Sequence, residues 1–93
     1  MVKAPRPPLS MSPAAQGRRL SALLTAMDWT QAELALRTGI STTSINRYCQ
    51  GFRPITRNDV WKIANATGLT MGYIFEGDLR GLTKVQLEWL PDA

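Results

Sequence analysis

The chain has 93 residues, one cysteine, no histidine and a formal net charge of +4. That length suits one domain and is too short for two. It buries somewhat over about 60% of its unfolded surface, enough for a modest core without covalent staples. A lone Cys49 excludes an internal disulfide, and without histidine the soft ligands of a zinc site are lacking, so neither metal nor cofactor is expected.

The opening MVKAPRPPLSMSP lacks the apolar run of a secretory signal, and no later segment approaches the ~20 apolar residues of a membrane span. A soluble, intracellular protein is therefore expected, with no membrane among its partners. Charge is unevenly placed. Between Arg37 and Lys62 stand five cations (Arg37, Arg47, Arg53, Arg57, Lys62) against one anion, Asp59. From Glu76 onward, Glu76, Asp78, Glu88 and Asp92 outnumber Arg80 and Lys84. A net positive charge in general favours an acidic partner such as nucleic acid or an anionic membrane surface; here, where no membrane partner is expected, the positive field is concentrated mid-chain.

Residues 1–11 carry Pro5, Pro7 and Pro8 without hydrophobic periodicity and read as a flexible arm. Ser12-Pro13 then starts a helix, with serine as cap and proline at the first helical position. Leu20, Leu23, Leu24 and Met27 form a stripe at i, i+3, i+4 and i+7 that predicts helix over 13–27. Thr30 with Glu33 makes a capping-box pattern for a second helix, inward-facing at Leu34 and Ala35 and stopped by Gly39. Ser41 caps a third, with Ile45 and Tyr48 inward and its end at Gly51; Arg53-Pro54 disfavours continuation. Thr56, with Asp59 three on, opens a fourth that Gly68 closes; its stripe is Val60, Ile63, Ala64 and Thr67. Thr70 to Phe75 reads as a short fifth helix ended by Gly77. Leu82 to Leu90 supports two readings. Thr83 with Gln86 suggests a capped helix, whereas Val85, Leu87 and Trp89 alternating with Lys84, Gln86 and Glu88 fit a strand; helix is preferred. The layout is an arm over 1–11, an all-α domain over 12–78 and a tail over 79–93.

The segment TQAELALRTGISTTSINRY meets the local demands of two helices crossing near a right angle through a three-residue turn. Ala35 is the small residue needed where the axes approach. Gly39 suits the positive φ of the turn, Ile40 plugs the core, Ile45 returns an apolar group onto the first helix, and Leu34 completes the inner face. Thr30 to Gln50 resembles the helix-turn-helix of the phage-repressor family, the lambda repressor, Cro and XRE-like group. The resemblance extends over about residues 16–78, from GRRLSALLTAMDWTQAEL to TMGYIFEGD. It implies a compact five-helix bundle whose third helix enters the major groove, with a short C-terminal helix or arm here, in a bacterial or phage cytoplasm at the nucleoid.

The family's groove-reading positions fall on Thr42, Thr43, Asn46 and Arg47. The chemistry agrees: threonine offers a hydroxyl and a methyl, asparagine can pair with an adenine edge and arginine with a guanine edge. Phosphate contacts are expected from Gln31, at the start of the second helix, and from Ser44, Gln50, Arg53 and Arg57; such contacts set register rather than sequence preference. Lys3 and Arg6 could reach an adjacent minor groove, although an arm without DNA contact fits the same residues.

Two departures stand out. The family commonly pairs an arginine late in the first helix with a glutamate near the end of the third; those positions are Leu24 and Cys49 here. Replacing both charges together avoids leaving one buried and unpaired, and it makes Cys49 a core residue rather than a reactive thiol. The second departure is that a long C-terminal effector or dimerisation domain is not expected after the tail, which argues against ligand-gated or cleavage-gated control. Trp29 and Trp61 read as core or edge packing rather than stacking platforms for single strands, whereas Trp89 with Leu87 and Leu90 suggests a partner surface. One monomer would read only about four to six base pairs, so a homodimer on half-sites about 34 Å apart is expected. Met71, Tyr73, Ile74, Val85 and Trp89 are the candidate dimer surface. The expected role is a repressor acting on double-stranded DNA; the alternative is an antitoxin whose tail masks a small partner protein. Enzymatic activity is not expected, since nothing assembles a catalytic constellation.

Overall fold

A computed structural model describes residues 11–90. Lys3 and Arg6 lie outside them. Among the described residues the chain forms six helices and no strand: α1 Pro13–Met27, α2 Gln31–Thr38, α3 Thr42–Cys49, α4 Arg57–Thr67, α5 Met71–Glu76 and α6 Lys84–Trp89. None of these helices is long and apolar enough to cross a membrane.

Every start obeys one local rule. Ser12, Thr30, Ser41, Thr56, Thr70 and Thr83 stand extended before their helices, and each hydroxyl accepts the backbone N–H three residues on. Gln86 returns the bond to the Thr83 N–H at 2.9 Å, completing a capping box. That local pair settles 84–89 as helix, against the alternation of apolar residues. The end of α1 is less conventional: Asp28, not glycine, adopts the left-handed conformation at φ 57°.

One apolar core joins α1 to α5 and takes in the residue that follows α6. It contains Leu20, Leu23 and Leu24 of α1, Leu34 of α2, Ile45 and Tyr48 of α3, Val60, Ile63 and Ala64 of α4, Tyr73 and Ile74 of α5, and Leu90 just past α6; Ile40, Ile55 and Leu69 enter from the turns. The segment after residue 78 is accordingly folded onto the bundle. Leu82 packs against the core, and Gln86 Nε2 donates to the Gly68 carbonyl at 3.0 Å.

Three expectations need correcting. Tyr73 and Ile74 were expected at a dimer surface, but at 0% and 3% exposure they are core. With only six residues, α5 is too short for a periodic stripe to say which face turns inward. Trp61 was expected in core or edge packing; it is 55% exposed, at the rim of a depression lined by Ala64, Asn65, Leu69 and Met71. Cys49 is half-buried at the core edge rather than enclosed; burial raises its thiol pKa, while a hydrogen bond from the Ser21 side chain partly opposes the shift.

Two buried polar side chains went unnoticed in the pattern. Gln16 Nε2 donates to the Phe75 carbonyl at 3.1 Å, and its Oε1 accepts the Ile55 N–H at 2.9 Å. Arg19 Nε donates to the Ile74 carbonyl at 3.3 Å and Nη2 to that of Phe75 at 3.0 Å. A cation here meets the orphan carbonyls and the negative end of the α5 dipole. Burial lowers the Arg19 pKa, with Arg18 nearby adding to the effect and Tyr73 opposing it.

Candidate nucleic-acid interface

The site is built on how α3 is seated. Gly39 takes φ 78° and donates to the Ala35 carbonyl at 2.8 Å, turning the chain out of α2. Thr38 Oγ1 donates to the Leu34 carbonyl at 2.7 Å and accepts the Ile40 N–H at 3.2 Å, so the turn's polar groups are met locally. Ile40 and Ile45 then bury against Leu34. At the other end, α3 lies almost directly on α1. A Cβ at Gly17 would stand 2.5 Å from the Tyr48 carbonyl oxygen and 2.9 Å from that of Cys49. Only glycine allows that approach.

With Ile45 and Tyr48 turned inward, Thr42, Thr43, Asn46 and Arg47 are left exposed on the opposite face. Arg47 makes no ion pair or hydrogen bond through its side chain among the described residues. Asn46 Nδ2 donates to Gln31 Oε1 at 3.3 Å, which draws the first residue of α2 to the exposed face of α3. That bond leaves Gln31 Nε2 and Asn46 Oδ1 without a side-chain partner among the described residues.

Arg53 lies back along α3. Its Nη2 donates to Ser44 Oγ at 3.3 Å, and its guanidinium stands over the Tyr48 ring, 5.1 Å from the centroid. Ser44 Oγ also accepts from Ser41 at 3.0 Å, keeping its own proton to donate. Tyr48 is fixed in turn by donating to Asp59 Oδ2 at 2.5 Å; burial and then that bond raise its pKa. The loop that follows is fastened at both ends. Gly51 donates to the Tyr48 carbonyl and Phe52 to that of Arg47, a Schellman closure with Gly51 at φ 75°, while Ile55 is held by Gln16. Gln50 is thus held exposed on a rigid turn after Arg47, while Arg53 folds back from it over Tyr48 toward Ser44.

Gln31, Thr42, Thr43, Ser44, Asn46, Arg47, Gln50 and Arg53 therefore share α2, α3 and the turn that closes α3. Arg57 does not join them as closely. It opens α4 and lines a groove with Pro54, Val60, Met71, Phe75 and Glu76. Arg37 is spoken for as well, paired with Glu33 at 2.9 Å and set over the Trp29 ring at 4.3 Å.

A family model described as helix-turn-helix matches residues 20–74, more than half of the chain. The chain belongs to the helix-turn-helix family. Its type is that of the lambda repressor, Cro and XRE-like DNA-binding transcription regulators, and the all-helical bundle is their fold. No curated protein and no solved structure matches the chain. In this helix-turn-helix protein the signals missed by sequence reasoning were Gln16, Arg19 and Gly17. Only the small size of Gly17 inside an otherwise good helical pattern could have pointed to a close helix contact.

Proposed function

We propose that the chain is a sequence-specific repressor that binds an inverted repeat as a homodimer, with α3 in the major groove. Thr42, Thr43, Asn46 and Arg47 read base edges, and Gln31, Ser44, Gln50 and Arg53 hold phosphates, with Arg57 at the start of α4 as an outlying phosphate contact. The carrying observation is that the outward face of α3 is polar and exposed, and that Arg47 on it is not consumed by the fold. The Gln31–Asn46 bond supports a joint role: one amide faces the backbone at the positive end of α2 while the other faces a base. The reading places the protein in the cytoplasm with the DNA it regulates.

For dimerisation, Met71 with Phe75 in the α4–α5 groove and the exposed Val85 of α6 offer apolar surface. Tyr73 and Ile74 are withdrawn from it, and the side chain of Trp89 lies outside the described part of the structure. Selection of bound sites from a random duplex pool tests the proposal. An enriched half-site repeated with two-fold symmetry is the expected result; an enriched site without symmetry removes the dimer, and no enrichment removes sequence reading.

The antitoxin reading has one observation of its own. Val85 is 66% and Leu87 43% exposed on a helix of six residues, which is surface that a small partner protein could cover. Co-purification with a toxin from the native host would favour it.

A further inference from the structure

The Schellman turn that ends α3 contains a side chain the fold does not use. In such turns the residue after the left-handed glycine commonly packs an apolar group back onto the third or fourth residue from the helix end. Here that residue is Phe52, and the positions it would pack on are Arg47 and Asn46. Phe52 is 72% exposed and is not part of the core or of the residues packed against it. Its backbone is nonetheless held firmly. The Phe52 N–H donates to the Arg47 carbonyl at 3.1 Å, Gly51 abuts Ala14 of α1, and Ile55 is tied to Gln16. The turn that carries Gln50 and Arg53 thus holds the Phe52 backbone in place next to the last turn of α3 and leaves its phenyl ring in solvent.

The chemistry of that neighbourhood selects the partner. An apolar protein surface covering the ring would also have to desolvate the nearby Arg47 and Arg53 cations. The edge of a DNA groove alternates phosphate charge with the C–H surface of deoxyribose, and so satisfies ring and cations together. We propose that Phe52 is a DNA contact whose ring packs on a deoxyribose of the backbone strand held by Gln50 and Arg53. The proposal rests on the reading that α3 and the turn after it face DNA.

The test uses the full chain, its selected operator and a random duplex, with affinity measured across a salt series. Phe52→Ala removes apolar contact and no charge. It should weaken both duplexes roughly tenfold, the expectation for losing about half a phenyl ring of buried surface. The slope of log affinity against log salt should stay unchanged, because no phosphate contact is lost. Phe52→Leu should recover most of the affinity. Thermal midpoint and the sedimentation of free protein should match wild type, since the ring is exposed. Unchanged affinity for both duplexes overturns the proposal. So does a loss confined to the operator, which would mean a base or thymine-methyl contact, or an altered sedimentation, which would assign the ring to a protein partner. If wild type itself binds no duplex at low salt, the parent reading falls along with this one; if wild type binds and Phe52→Ala binds equally, only this one falls.

Discussion

The α2–α3 half and the α4–α6 half of the molecule share one core but present opposite surfaces. Leu36 and Phe52 aside, the first turns outward threonine, asparagine, arginine and glutamine. The second, among exposed polar and charged residues of its own, also turns outward Trp61, Leu79, Val85 and Leu87 and opens a groove beside Met71 and Phe75. Polar groups held rigidly on one helix suit a hydrated, charged polymer; scattered apolar groups around short helices suit another protein surface. The difference teaches that exposure alone does not mark function. Its chemistry does.

The comparison is broken most severely at Gly17. Gly17→Val drives a side chain into the Tyr48 and Cys49 carbonyls and should cost at least about 3 kcal/mol of folding free energy in denaturant melts, with DNA binding lost because α3 is displaced. Even Gly17→Ala should lose net stability, since a helix-propensity gain of up to about 1 kcal/mol cannot offset a 2.5 Å approach to backbone. A melt of Gly17→Ala equal to wild type would show that α3 can move at little cost.

Arg19→Leu strikes the other half. It removes donors from the Ile74 and Phe75 carbonyls at the buried end of α5 and should cost about 2 kcal/mol. The folded variant should keep its affinity for random DNA, because the Arg19 bonds to Ile74 and Phe75 lie on α5; a parallel loss of DNA affinity would mean that the halves are coupled.

The comparison is sharpened on α3 itself. Asn46→Ala and Arg47→Ala should each weaken binding to the selected operator by about 1–3 kcal/mol and leave random DNA nearly unaffected. Equal losses on both DNAs would reassign these residues to backbone contacts.

The smallest effect lies after α5. Arg80 donates to Asp78 at 2.7–3.1 Å from its side chain and at 2.9 Å from its backbone, and these bonds hold the Asp78 carboxyl down at about 2. A depressed folded value means that the contribution is present above the ordinary carboxylate range and is lost as pH falls towards 2. The pair is exposed and screened, so its effect on stability is slight. An NMR titration should find Asp78 ionised well below pH 3.8 and returned to the ordinary range by Arg80→Ala.

Much of the fold was legible because its signals are local. A hydroxyl capping the third residue on, a glycine leaving a helix and a stripe at i, i+3, i+4 all operate within one or two turns of chain, so Ser12, Thr30, Ser41, Thr56, Thr70 and Thr83 could be read as starts. The outward placement of Thr42, Thr43, Asn46 and Arg47 followed for the same reason, since burying Ile45 and Tyr48 of one short helix exposes its other face.

What the amino-acid order determined, then, was where helices begin and end and which side of α3 is wet. Tertiary packing alone decided the rest. Gln16 and Arg19 find their partners 39 to 59 residues away, and no periodicity encodes a carbonyl brought that far. Tyr73 and Ile74 turned inward, and Trp61 outward, because helices of fixed length must meet around one core. A side chain's burial is set by the neighbours that arrive from distant sequence, whereas its helical state is set largely by the few residues on either side.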